Sequence, residues 1–512
     1  MTEQIHARNG RSATARQDAT LPDPLGSRVV AHALPRRGMA LALAATLSIG
    51  LAACGGGGGN DAATTAPPPS ASNTPAPTPA PTPSPAPSPA PAPAPAPTFT
   101  VGGMVSGLGT GLSVTLLDNG SDAVTVNANG NFHFPTALAS GAPYAATVGT
   151  RPSGQQCTIT NGSGTVASAS VTNIAVACSA RPLFAYAANS NDNTVSAYTL
   201  DPTTGAPTLI GTPLAVGHGP LSLVGDKAGK FVFVVDSNDN SVTTLAINSE
   251  TGLLSVTGTP AATGTQPFNI ARTPASTFAY TTNFSSNNLS AFSINASTGA
   301  LTSVGTIAAG TNPYTIAINK AGTYAYVVNA ANGAGTPTAM VYAINSATGA
   351  LTPVGSPVTT GTSPFYIAVN AAGTLAFVAN TGDNTVQPYT INATTGALTA
   401  SGTPIATGVG PIPIAIHPSG SFAYVGNTFD NTVGIYRINA STGALTLVAT
   451  MATGNDPLAI TLNDAGTVAY IVNGVDSTVA AYRVDSSTGL LTAVSSAATG
   501  LLPRAFAIVA VP

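Results

Sequence analysis

From residue 181 to the end of the chain, apolar and polar positions alternate in runs of five to seven residues, and each run stops at Gly, Asn, Asp or Pro. Such period-two runs between turn residues predict strands. No stretch of ten residues there carries the 3.6 period of a helix. The runs also recur in a fixed order. A strand such as "FAYVAN" leads to a turn such as "TGDNTV", then to a strand ending "YxI", then to "N-x-x-T-G-A-L-T". A shorter strand follows, then G-x-x-P, an "IAI" strand and a Gly turn back to the next unit. The nine residues "INASTGALT" occur twice without change, at Ile294–Thr302 and Ile438–Thr446.

The turn glycines Gly205, Gly252, Gly299, Gly349, Gly396, Gly443 and Gly489 are spaced 47, 47, 50, 47, 47 and 46 residues apart, which makes seven units over residues 181–512. Four short strands per unit at this period predict an all-β fold, a seven-bladed β-propeller. The first unit lacks an "IAI" strand, and the chain ends on one, "PRAFAIVAV". The C-terminal strand is therefore expected to complete the first blade from inside and leave no open sheet edge. Strands are called a to d from the axis outwards. The a–b and c–d turns then share one face, and the b–c and d–a loops share the other.

Residues 98–179 predict a separate small β module, sandwich-like, with hairpin turns at "DNGSD" and "NANG". Its final strand, "VTNIAVAC", carries Cys178, and in an exported chain the pair Cys157 and Cys178 is most simply a disulfide. His133 alternates with Phe132 and Phe134 and so points away from them. The module loosely resembles immunoglobulin-like spacers of exported bacterial proteins. Before it, residues 55–97 are Gly-rich and then dominated by Ala-Pro, Thr-Pro and Ser-Pro steps, which predict a polyproline-II spacer of roughly 100 Å.

Residues 1–54 contain Arg36 and Arg37 followed by the apolar run "MALALAATLSIGLAAC", the pattern of a secretory signal and too short for a membrane span. Translation from near Met39 and a weak twin-arginine signal are both open for the long leader. "LAAC" resembles the lipobox of bacterial lipoproteins. That resemblance implies lipidation of Cys54 and a membrane anchor, and Gly55 after the cysteine implies the outer membrane.

Composition narrows the chemistry. Charged residues are only 6% of the chain, against roughly 25% in an average soluble protein. Beyond Cys54 there are 9 basic and 15 acidic side chains, a net of −6. No basic patch could neutralise phosphates, so nucleic acid is not expected as a partner. No soft-ligand cluster points to a metal and no cofactor motif is present. A monomer is expected.

In a repeat, residues that break the pattern are the informative ones. "NASTGALT" is a c–d turn, punctuation on the face opposite the expected site. The other face is lined by a ring at the ends of the b strands (Asn189, Asp236, Asn283, Asn329, Asn380, Asn427, Asn473) and by the G-x-x-P loops, bordered by Asp192, Asp239, Asp383, Asp430 and Asp476. Three exceptions are expected near one another. Asp236 replaces a ring asparagine, His218 stands in a loop where other units have Thr, Val, Asn or Leu, and Arg504 follows a loop proline where others have Leu, Phe, Tyr or Ile. Histidine, carboxylate and guanidinium together suit general-base catalysis or anion binding. His417 lies on the far face, Arg272 occupies a normally apolar position of an a strand, and Glu250 is the only glutamate after the leader.

The "FAYVAN…DNTVxxYxI…TGALT" unit resembles the seven-bladed lactonase family, which includes 6-phosphogluconolactonase and the muconate-lactonising propellers. It also resembles the Tyr-Val-Thr-Asn repeats of exported surface proteins. The resemblance covers residues 181–512. It implies a G-P-R-H stretch at the head of an a strand and an Asn-Glu at a b-strand end. This chain reads Gly410-Pro411-Ile412-Pro413 and Leu502-Pro503-Arg504-Ala505 instead, and no b strand ends in Asn-Glu. Two functions follow as expectations. One is an envelope lipoprotein binding a small molecule, such as a sugar or lactone, or a protein on the b–c/d–a face. The other is a lactone hydrolase using His218, Asp236 and Arg504.

Overall fold

A computed structural model describes residues 96–511 apart from 153, 182 and 334. Cys54, the leader and the Pro-rich stretch up to residue 95 lie outside the described residues. Among the described residues no helix occurs.

Seven antiparallel sheets of the propeller follow one another along the chain. Blade 2 shows the plan, with a at Pro220–Gly225, b at Phe231–Asp236, c at Ser241–Ile247 and d at Leu254–Ala262. The reason lies in which surfaces each strand covers. Strand b is sandwiched between neighbouring blades, so both of its faces are buried and it reads as a near-continuous apolar run. Strand d is the outer edge, mostly exposed and built from Thr, Ser, Gly and Pro.

Blade 1 closes the ring as the chain ends implied. Pro503–Ala510 pairs antiparallel with Leu183–Asn189, from Leu183 opposite Ala510 to Asn189 opposite Pro503. Phe506 and Val509 of the closing strand are buried, and Val509 packs with Phe184 of blade 1 and Val232 of blade 2. Blade 5 departs from the plan, because its outer strand is split into Leu398–Ala400 and Ile405–Ala406. Pro388 in strand c faces the gap and has no amide to donate across it, although its carbonyl still accepts from the Ser401 amide at 3.0 Å.

The small module is two four-stranded sheets around Val101, Leu116, Phe132, Phe134, Ile174 and Val176. Cys157 and Cys178 stand directly opposite each other on neighbouring strands and are joined by a disulfide. His133 is exposed between the two buried phenylalanines.

Candidate ligand-binding face

The b–c/d–a face is assembled by one device repeated round the ring. The proline of each G-x-x-P loop begins an a strand and sits opposite the residue ending strand b, as Pro220 opposite Asp236 and Pro411 opposite Asn427. The loop glycine then lies on that ring residue. A Cβ on Gly217 would stand 2.5 Å from Asp236 Cγ, and one on Gly408 would stand 2.7 Å from Asn427 Cγ, so only glycine fits. The ring amides also donate to strand-c hydroxyls, and Asn427 Oδ1 accepts the Gly408 amide at 3.1 Å. Asn189 Nδ2 reaches Thr194 Oγ1 at 3.0 Å and Ser196 Oγ at 2.9 Å, and Asn427 Nδ2 reaches Thr432 Oγ1 at 3.0 Å.

The Asp-Asn-Thr-Val turns complete the frame. Their aspartates accept the amide of the loop's second residue within the same blade, as Leu501 to Asp192 (2.6 Å) and Thr362 to Asp383 (2.7 Å). Their asparagines, held at positive φ, accept the amide of the third residue in the next blade's loop. Gly219 donates to Asn193 at 2.8 Å, Gly410 to Asn384 at 2.8 Å and Asp456 to Asn431 at 2.8 Å. Each turn therefore ties a loop down and staples two blades.

Against this frame the three pattern-breaking residues take different partners. Asp236 is 0% exposed. Thr243 Oγ1 donates to its Oδ2 at 2.5 Å, and its Oδ1 is buried without a partner. Burial, aided by the charge of Asp239, pushes its carboxyl up to about 6. His218, next to Gly217 in the loop, has a side chain 70% exposed and its Nδ1 2.9 Å from Asp239 Oδ1. Asp239 also accepts the His218 amide at 2.7 Å, and that hydrogen bond lowers its pKa. The Asp239 contact has a precedent within the ring, because Asn455 bonds Asp476 through both its amide (2.7 Å) and its Nδ2 (2.7 Å). Arg504 is partly buried, and its charge acts on Asp456, whose carboxyl is raised by burial and pulled back by that guanidinium.

Asp456 is the residue that sequence reasoning missed. It is the only charged residue at the third position of a G-x-x-P loop, where the others are Gly219, Gln266, Asn312, Ser363, Gly410 and Leu502. The same contrast that marked Arg504 could have found it. The residues after the loop prolines, at the heads of the a strands, also touch across blades. Tyr314 meets Phe268 at 4.7 Å and Phe365 at 4.1 Å between ring centroids. Arg504 interrupts this apolar ring between Leu458 and Leu221.

The far-face outliers are structural. His417 is buried, with Nδ1 2.7 Å from Ser419 Oγ and Nε2 3.0 Å from the Gly466 carbonyl. Arg272 crosses to the previous blade, where its Nε donates to the Gly225 carbonyl, while its Nη1 donates to Thr273 O at 3.2 Å. Among the described residues no cluster of His, Cys, Asp and Glu could hold a metal.

The family model described as "Lactonase, 7-bladed beta-propeller" matches residues 152–271, 277–413 and 403–507, together more than half of the chain. No curated protein matches the sequence. Among solved structures, the periplasmic gluconolactonase of Pseudomonas aeruginosa is similar, at 16% identity and TM-score 0.56, over 65% of this chain and 100% of that one. A Bacteroides fragilis protein assigned provisionally as a 6-phosphogluconolactonase matches at 20% identity and TM-score 0.57, over 64% and 98%. A Lactobacillus plantarum protein matches at 22% and 0.56, over 64% and 100%. At these identities the likeness is one of fold.

Proposed function

The chain belongs to the lactonase family of seven-bladed β-propellers, and from that membership we propose an exported, lipid-anchored member whose b–c/d–a face binds a ligand without turning it over. One observation carries the reading. The two groups able to activate water differ completely in access, Asp236 at 0% exposure and the His218 side chain at 70%. A general base has to reach water and substrate at one point. Arg504, with Asp456 beside it and the apolar ring on either side, supplies an anchor for a small polar molecule such as a sugar or a lactone. The lipobox-like "LAAC" and the long Pro-rich arm support display from a membrane, with Cys54 as the lipidated residue.

A second reading has its own observation. Asp239 holds His218 Nδ1 at 2.9 Å, an arrangement that orients an imidazole as a base. A lactone hydrolase would use that pair, with Arg504 on the substrate. The Asn455–Asp476 contact repeats the geometry without a histidine and favours a loop cap.

Sugar lactones, acyl-homoserine lactones and simple esters, assayed for hydrolysis and for saturable binding, separate the two. The expected outcome is binding without turnover, with binding lost in Arg504→Gln and kept in His218→Ala. Turnover abolished by His218→Ala overturns the proposal in favour of the hydrolase.

A further inference from the structure

A second cluster of charge lies away from the propeller mouth, at the seam between the small module and blade 2. A cleft of about 330 Å³ opens there. Arg151 and Gln156 of the module and Arg181, between the module and the first propeller strand, line one side, and Ser249 and Glu250 of a c–d turn line the other. We propose that this cleft binds a small oxyanion, a carboxylate or a phosphate group, between Arg151 and Arg181. The inference is independent of the function proposed for the b–c/d–a face.

The geometry argues for a ligand because the arginines gain nothing from each other. Two of the nine basic residues beyond the leader converge on one cleft, in a chain with only 6% charged residues. Like charges brought together oppose folding unless an anion sits between them. Among the described residues neither arginine is ion-paired. Arg181 is fixed in place by its Nη1, which donates to the Val511 carbonyl at 2.6 Å, while its Nε is buried without a partner. Burial and then the charge of Arg151 lower the Arg181 pKa, as expected of two guanidinium groups facing one space. The disulfide cysteine Cys157 stiffens the wall behind them. Paired guanidinium forks suit the planar or tetrahedral oxygens of such a group.

Glu250 sets the charge. The matching turn position is Thr203, Ser297, Ala347, Thr394, Ser441 or Ser487 in the other six blades, so the turn itself has no need of a carboxylate. Its side chain leaves the cleft with a net charge of about one positive unit. The site thus suits a monoanion, and the Glu250 oxygens can accept from a hydroxyl or ammonium group on the same ligand.

The test is calorimetric titration of the full chain with inorganic phosphate and, separately, with acetate, at constant ionic strength. One saturable site per chain is expected. Arg151→Gln should weaken it about tenfold or more. Glu250→Gln should tighten it by removing a repelling charge. Absence of saturable heat with both anions overturns the proposal, as does unchanged binding in Arg151→Gln. Weaker binding in Glu250→Gln also overturns it, because the charges would then serve the seam itself.

Discussion

Asp236 is where the sequence contrast and the energetics meet. Six blades close strand b with asparagine, and blade 2 uses an acid that is fully buried and half-satisfied. Its carboxyl, pushed up to about 6, holds a proton that the unfolded chain has already released near pH 4. The native state therefore binds more protons between those values, and stability falls as pH rises from about 4 to 6, then stays level. The total is on the order of 3 kcal/mol. Asp236→Asn restores the residue of the other blades. It should melt higher than the parent at pH 7 and lose less stability than the parent between pH 4 and 6 in thermal melts across that range, the buried carboxyl of Asp456 being raised as well. A variant no more stable than the parent at pH 7 would contradict the raised carboxyl. That Asp236, His218 and Arg504 break the repeat was legible in the sequence. Their partners were not, because Thr243 and Asp239 meet Asp236 and His218 through strand register and turn geometry within blade 2, and the charge of Arg504 acts on Asp456 across neighbouring blades, which spacing along the chain does not encode.

At the scale of elements, the "TGALT" turns acquire a second role beyond punctuation. The tyrosine of a "FAY" strand donates to the carbonyl of the turn glycine in the following blade. Tyr186 reaches Gly252 at 3.0 Å, Tyr280 reaches Gly349 at 2.9 Å, Tyr424 reaches Gly489 at 3.0 Å and Tyr470 reaches Gly205 at 2.8 Å. The glycine itself stands at positive φ with the preceding blade against its Cα, and a Cβ on Gly489 would meet the Phe422 ring at 2.5 Å. Tyr326 occupies the same place in blade 4, yet its buried hydroxyl has no partner. The two kinds of tyrosine should separate in denaturant titrations. Tyr424→Phe should cost about 1 kcal/mol by orphaning a buried carbonyl, while Tyr326→Phe should be neutral or slightly stabilising. Equal losses would mean that the hydroxyl bonds are not what joins the blades. Strands and turns were readable because their period and glycines are local. The split outer strand of blade 5 was less so, since it arises from Pro388 acting across the sheet.

For the whole molecule, what matters is that the ring is closed by the strand Pro503–Ala510. A propeller of stacked blades has no single core, only interfaces between neighbours, so one open blade exposes two of them. The closing strand places Phe506 and Val509 in buried positions between blades 7, 1 and 2, and Val511 just after it is buried with them. Each buried apolar side chain contributes about 1.5–3 kcal/mol, so their loss is comparable with the roughly 5–15 kcal/mol that separates most folded chains from unfolded ones. Removing the strand would also bare the amide and carbonyl row of Leu183–Asn189, an edge open to pairing with other chains. A chain ended after Leu502 should therefore aggregate or be cleaved rapidly by added protease, with no cooperative melt. A synthetic peptide of residues 503–512 added in trans should restore protease resistance, because the missing part is a strand that pairs by register and carries no chemistry of its own. If the shortened chain melted cooperatively at the parent's temperature, the closing strand would be an ornament on a six-and-a-half-bladed core, and the staples between loops and turns would have to hold the ring alone.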